Sequence, residues 1–168
     1  MILEFCRWLE TTRPASMIAG SIWAYPIIES LHTVGIALFL GLLLAWDLRL
    51  LGVMFRGVAV SEVWARLIPW ISLGAVFMTV TGVILFVGNP VHYWGHVFFR
   101  IKVAALALAL LNVAAFHLGI ERRLVEWDGS PRPPRPARVA GAVSVVLWAT
   151  VVVAGRLSGY NWFPSLVE

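Results

Sequence analysis

Residues 26–46 read PIIESLHTVGIALFLGLLLAW, and this run decides the fold. A helix of about 20 mostly apolar residues crosses the ~30 Å hydrocarbon core of a bilayer. Three more runs of this kind lie at about residues 68–87, 101–120 and 139–155. The sequence therefore predicts one all-α transmembrane domain over residues 1–168, a four-helix bundle with short helices at the membrane surface.

The composition excludes a water-soluble enzyme. Of the 168 residues 60% are hydrophobic and 13% are charged, whereas soluble domains average about 45–50% and about 25%. Four spans and their connections leave no room for a separate catalytic domain. The single cysteine, Cys6, excludes an internal disulfide and any cysteine-based zinc or iron–sulfur site.

The positive charges predict the orientation in the membrane. Four spans put both termini on one side, together with five of the 13 Lys and Arg residues, while eight lie on the other side. Cytoplasmic loops carry the excess of Lys and Arg. We therefore expect a bacterial inner-membrane protein with both termini in the periplasm. Because the arginines cluster at the ends of apolar runs, the net charge of +4 reflects topology and predicts no nucleic-acid partner.

Small residues at helical spacing predict where the helices pack. Lipid provides no hydrophobic drive between helices, so van der Waals contacts between closely approaching helices must hold them together. We expect these stripes to face other helices in the bundle, or partner subunits. The stripes are Thr33, Ala37, Gly41 and Ala45 in the first span, Ser72, Ala75, Thr79 and Gly82 in the second, and Ala105, Ala109 and Asn112 in the third.

Ionisable residues within the spans are the candidate functional residues, because charge in lipid is costly. Glu29 and His32 are three residues apart, so they share a face of the first span, which we expect to look into the bundle. His117 lies near the other end of the third span, roughly 20 Å away in depth at 1.5 Å per residue. His32 and His117 therefore cannot bind one haem iron. His117 is expected to pack near Glu121 and Arg122, with a second haem as the alternative.

His32 is instead expected to meet His92 or His96 on the outer side. One interpretation is a b-type haem with His32 and His96 on the iron and cationic side chains on the propionates. A second is a metal or proton site built on Glu29 and His32. The third is structural: Glu29 pairs with a cation, and His32 bonds a carbonyl. The cationic candidates are Arg100, Lys102 and Arg156.

Two segments carry a resemblance. YPIIESLHTVGIAL at 25–38 and WDLRLLG at 46–52, with Lys102, Asn112 and His117, resemble an uncharacterised family of small bacterial inner-membrane proteins. The layout is also loosely similar to four-helix membrane cytochromes b and to copper-resistance membrane proteins. The likeness to cytochromes b implies a redox role. This sequence departs from those cytochromes in that His32 and His117 lie at different depths and so cannot share one haem.

These observations predict a small subunit that carries electrons through haem b in a larger redox complex. Its partners would be membrane lipid, other membrane or periplasmic redox subunits, and quinone. The sequence contains no autonomous catalytic motif. The alternative is a non-redox scaffold or a small permease for a metal or another ion, in which Glu29 and the histidines serve packing or ion passage.

Overall fold

The computed structural model describes residues 1–160, apart from the side chains of Ile120 and Arg123, and within this part the chain is helical with no strand. Seven α-helices follow one another, and a π-helical turn, Phe116–Ile120, and a 3₁₀ segment, Glu121–Glu126, connect the last two. The helices are α1 Ile2–Glu10, α2 Arg13–Ala19, α3 Ala24–Leu50, α4 Val60–Gly88, α5 Pro90–Gly95, α6 Val97–Ala115 and α7 Arg135–Leu157.

Four helices, α3, α4, α6 and α7, are long and apolar enough to span a membrane. This confirms the all-α bundle and makes the chain a multi-pass membrane protein. Successive spans run in opposite directions. The short helices α1, α2 and α5 therefore lie on the same side as the start of α3 and the end of α7. We call this the terminal side. The opposite side, which carries residues 51–59 and 116–134, is called the connection side.

Three of the spans, α3, α4 and α7, are longer than the apolar runs that predict them, whereas α6 begins and ends earlier than its run. Pro69, at the start of the second apolar run, lies inside α4, because that helix begins nine residues earlier at Val60. The turns of α4 that precede its apolar run are more polar than the run itself. The first of these turns is hydrogen-bonded by another segment of the chain. The backbone N–H of Val60 donates to the carbonyl of Asp128. The Asp128 carboxylate accepts bonds of 2.7 Å from the backbone N–H and the hydroxyl of Ser61.

Helix α3 is the centre of the bundle, since it packs on both α4 and α7, while α6 packs on α7. Its buried face carries Gly35, Phe39, Leu43 and Trp46. The predicted stripe of α3 is on a different face: Thr33, Ala37 and Gly41 are exposed. That prediction is wrong within this chain, because the bulky positions, spaced by four and three residues, determine which face turns inward.

Glycines determine the closest approaches between the helices. A Cβ atom at Gly35 would lie 2.7 Å from the Phe77 ring of α4. At Gly141 of α7 it would lie 3.1 Å from both the carbonyl oxygen of Asp47 and the Cβ of Leu50. In α6 the predicted stripe is confirmed: Ala105 and Ala109 are buried, and the Asn112 amide donates to the carbonyl of Ala140.

A buried arginine secures the connection side. Arg49 is 0% exposed, and its guanidinium donates twice to the Val58 carbonyl, at 2.8 and 3.1 Å, and once to that of Ser130. Helix α3 ends at the next residue, Leu50, in a Schellman motif, in which Gly52 has a φ of +71° and the N–H of Val53 bonds to the Leu48 carbonyl. Both connections are thereby attached to the end of α3.

Substituting Gly141 with alanine should weaken the contact between α3 and α7. The added methyl group meets backbone and Cβ atoms that cannot rotate away, so the free energy of unfolding should fall by about 1–3 kcal/mol. A denaturing-detergent titration in mixed micelles measures this loss. Gly41→Ala is the matched control, because within the described residues nothing lies within 4 Å of a Cβ at Gly41. Equal stability of both variants would contradict the packing described here.

Arg49→Lys should destabilise the connection side although it keeps the charge. An ammonium group cannot reproduce the paired bonds to the Val58 carbonyl, and bonds made by charged groups contribute about 1.5–3 kcal/mol each. We expect a loss of about 2 kcal/mol or more in the same titration. Arg66→Lys is the control, since Arg66 is exposed and paired only with Glu62. A loss no larger than in that control would show that the Arg49 bonds contribute little.

The Asp128 carboxylate should make stability depend on pH. Its bonds to Ser61 lower the pKa of Asp128 below the ordinary 3.8. A depressed folded-state pKa stabilises the fold above the unfolded pKa, and this contribution disappears as the pH falls through the folded pKa. Asp128→Asn should therefore cost about 1 kcal/mol at pH 7, because a neutral amide replaces the charged acceptor of these bonds. The difference from wild type should vanish in melts near pH 2, and a constant difference from pH 7 to pH 2 would refute this role.

Candidate functional site

His32 lies in the terminal-side half of α3 and is held by one specific bond. Its Nδ1 is 2.7 Å from the Thr81 hydroxyl oxygen of α4. Thr81 is buried, and its hydroxyl donates to the carbonyl of Phe77, four residues earlier. Since the single hydroxyl proton is used there, we infer that Thr81 accepts a hydrogen bond from His32. Nδ1 then carries the imidazole proton, and Nε2 presents a lone pair.

Lys102 of α6 is close enough to this imidazole to act on it electrostatically, and its side chain is half-buried. A Cβ at Gly155 of α7 would lie 3.5 Å from the Lys102 Nζ, so the ammonium lies along the α7 backbone. Among residues 1–160, no carboxylate forms an ion pair with it.

Four spans thus meet at one level, with His32 from α3, Thr81 from α4, Lys102 from α6 and Gly155 from α7. We call His32, Thr81 and Lys102 the His32 cluster. A methyl group at Gly82 would lie 3.4 Å from the His32 Cε1, so the glycine lets the ring lie flat on α4. The cluster combines a base, Nε2, with a hydrogen-bond donor, Nζ, inside a transmembrane bundle. A ligand carrying both an acceptor and a donor could engage both groups.

Glu29 does not look into the bundle, and that prediction is wrong. It is exposed, because α3 buries the face that carries Gly35 and Phe39. At 100° per residue, Glu29 lies about 240° around the helix from Gly35 and so belongs to another face. Glu29 acts electrostatically on Tyr93, whose hydroxyl bonds that of Tyr25. Burial and this hydrogen bond raise the pKa of Tyr93.

His92 and His96 do not meet His32 in the described part of the chain. Tyr25 bonds Tyr93 of α5, and His32 follows Tyr25 by seven helical residues, about 10 Å deeper in the membrane. His96 is buried, its Nε2 lies 3.2 Å from the Tyr160 carbonyl, and its Nδ1 has no hydrogen-bond partner among the described residues. His92 is exposed, with its ring 6.4 Å from that of His96.

The predicted cations separate into two groups. Arg100 donates to the Trp94 carbonyl and lies 5.4 Å from the centre of the Trp94 ring. The Arg156 guanidinium lies 5.0 Å from the centre of the Tyr160 ring. Both arginines therefore contact aromatic residues of the terminal side by cation–π interactions, and only Lys102 joins His32.

His117 lies at the opposite end of the bundle, as its depth predicts. It belongs to the π-helical turn, pairs with Glu121, and its ring centre is 5.4 Å from that of Trp64. Trp64 precedes Thr81 by 17 residues of α4, about 25 Å along the helix. His32 and His117 therefore cannot share one iron atom, and His117 packs against Glu121 as predicted.

A buried carboxyl group is the polar feature that sequence reasoning missed. Asp47 comes directly after the apolar run of the first span, yet it is only 2% exposed and lies beside Ser144 of α7. One carboxyl oxygen, Oδ2, has no hydrogen-bond partner among the described residues. Nothing near Asp47 in sequence indicates this, because the contact depends on how α3 and α7 pair.

The expected metal site stays a prediction. Within residues 1–160, no group of three or more His, Cys, Asp or Glu side chains is arranged to hold a metal ion. His32 and His96, predicted as ligands of one metal, have the separate partners described above. A metal at either residue would therefore need ligands from another source.

Comparison with known proteins identifies the family but assigns no activity. A family model described as a family of unknown function, DUF6644, matches residues 5–161. The chain belongs to the DUF6644 family. This agrees with the expected resemblance to an uncharacterised family. No curated protein matches the chain, and no solved structure does.

Proposed function

We propose that this DUF6644 protein is a small inner-membrane subunit of a larger redox complex and binds a quinone-type carrier at the His32 cluster. The observation that carries the proposal is the His32–Thr81 bond, which leaves Nε2 free as a base beside the Lys102 ammonium. A quinol hydroxyl could donate to Nε2, and a quinone carbonyl could accept from Nζ. The periplasmic placement of both termini, taken from the positive-inside rule, puts this site near the outer face.

The chemistry assigned to this chain is proton uptake. Oxidation of a quinol to a quinone releases two protons and two electrons. His32 Nε2 accepts one proton from a hydroxyl, Thr81 fixes the ring through the opposite nitrogen, and Lys102 binds the oxygen on which negative charge develops. The second proton leaves to solvent on the terminal side. The two electrons pass to an electron acceptor in a partner redox subunit.

A second candidate is haem b, which the same observation favours. A histidine that binds a metal usually donates its other ring N–H to an oxygen, as His32 does to Thr81. Among the described residues, His32 would hold the iron through Nε2. The predicted second ligand, His92 or His96, lies about two helical turns nearer the terminal side. Haem at this site would supply one-electron transfer, with any second ligand coming from a partner.

Quinone binding tests the first proposal. Purified protein in nanodiscs should bind a short-chain quinone analogue saturably. His32→Gln and Lys102→Gln should each weaken the affinity about tenfold or more, since each removes a hydrogen bond worth about 1.5 kcal/mol. His117→Gln is the matched control at the far end of the bundle and should bind as wild type. Equal binding by all four proteins would indicate simple partition into lipid and would overturn the proposal.

Optical spectroscopy tests the second candidate. A haem protein gives a Soret band that shifts on reduction with dithionite. If haem b binds at His32, His32→Ala should abolish that band and His117→Ala should keep it. A colourless preparation from haem-replete cells would remove the haem candidate. A band that is lost with His117→Ala alone would move the haem to the connection side.

A further inference from the structure

The connection side carries a groove that neither candidate function uses. It lies between the end of α6 and the start of α7 and has a volume of about 430 Å³. Its walls come from Ala115, Phe116, Val139 and Ala140, and Arg135 stands at its edge. This volume is within the range of ligand sites, about 300–1,000 Å³.

The groove has an apolar interior. The one polar side chain within it, the Asn112 amide, is already bonded to the Ala140 carbonyl. The neighbouring backbone departs from α geometry, because α6 passes into the π-helical turn at Phe116. Isolated π turns are frequent at functional sites. The interior therefore suits a hydrocarbon chain better than a polar metabolite.

The start of α7, where Arg135 lines the groove, is positively charged. Arg135 and Arg138 are both exposed in the first turn of α7, and among the described residues neither forms an ion pair with a carboxylate. The positive end of the α7 dipole adds to their field. Arg135 begins a transmembrane helix, which places these guanidinium groups at the level of the lipid phosphates.

We propose that this groove binds one anionic phospholipid. An acyl chain lies between α6 and α7 along Ala115 and Val139, and the headgroup phosphate is held by Arg135 and Arg138. Charge complementarity selects the occupant, since a zwitterionic lipid offers the same chain but brings its own cation to the two arginines. Basic pockets between transmembrane helices bind anionic headgroups in this way.

Native mass spectrometry of the detergent-solubilised protein tests the site. With phosphatidylglycerol and phosphatidylcholine of identical chains, one phosphatidylglycerol should be retained at least fivefold more than phosphatidylcholine. The double variant Arg135→Gln, Arg138→Gln should remove this preference. Arg66→Gln is the matched control, an arginine of the same side that is paired with Glu62, and it should keep the preference. Equal retention of the two lipids by wild type would overturn the proposal.

A second variant separates the groove from surface charge. Ala115→Leu fills the groove, keeps both arginines and lies at an exposed position, so folding should not suffer. It should lower phosphatidylglycerol retention about as much as the double arginine variant. Full retention by Ala115→Leu would overturn the groove assignment. Inorganic phosphate should not displace the lipid, and displacement by phosphate alone would likewise contradict a site that requires the acyl chain.

Discussion

Lipid offers no hydrogen-bond partner, so polar groups inside the bundle depend on the protein itself for their hydrogen bonds. Three side chains show how this constraint determines the architecture. Arg49 bonds the carbonyls of two connections, Asn112 bonds the α7 backbone, and His32 bonds Thr81. The bonds of Asn112, of His32 and of Arg49 to Ser130 join segments far apart in sequence. These polar groups therefore help to fix which helices are neighbours, together with the bulky residues and the glycines at the helix contacts.

The sequence is sufficient for the number of spans, because hydropathy is a local property and lipid makes it decisive. It is also sufficient for the separation in depth of His32 and His117, which follows from counting residues along antiparallel helices. Helix ends are less predictable. The first turn of α4 is hydrogen-bonded by Asp128 from a distant connection. The apolar run alone therefore predicts a helix start that is too late, and Pro69 lies inside the helix.

For α3, the residues that face inward and the contacts they make could not be predicted from the sequence. The small stripe of α3 and Glu29 are predicted to turn inward, yet the larger residues Phe39 and Trp46 occupy that face. The partner of His32 is a threonine, a residue so common in transmembrane helices that its spacing carries no signal. Asp47 is buried only because Gly141 lets α7 approach α3 closely. In each case the deciding contact is between helices, and periodicity within one helix does not contain it.

The candidate functions depend on the protonation of one imidazole. Nitrogen-15 NMR of His32 in nanodiscs measures this directly, with Thr81→Val as the comparison. The account predicts a neutral ring that carries its proton on Nδ1 in wild type, and a loss of this preference when the hydroxyl is replaced. A proton on Nε2, or a doubly protonated ring at neutral pH, would contradict it, since Nε2 would then have no lone pair for a quinol or an iron atom.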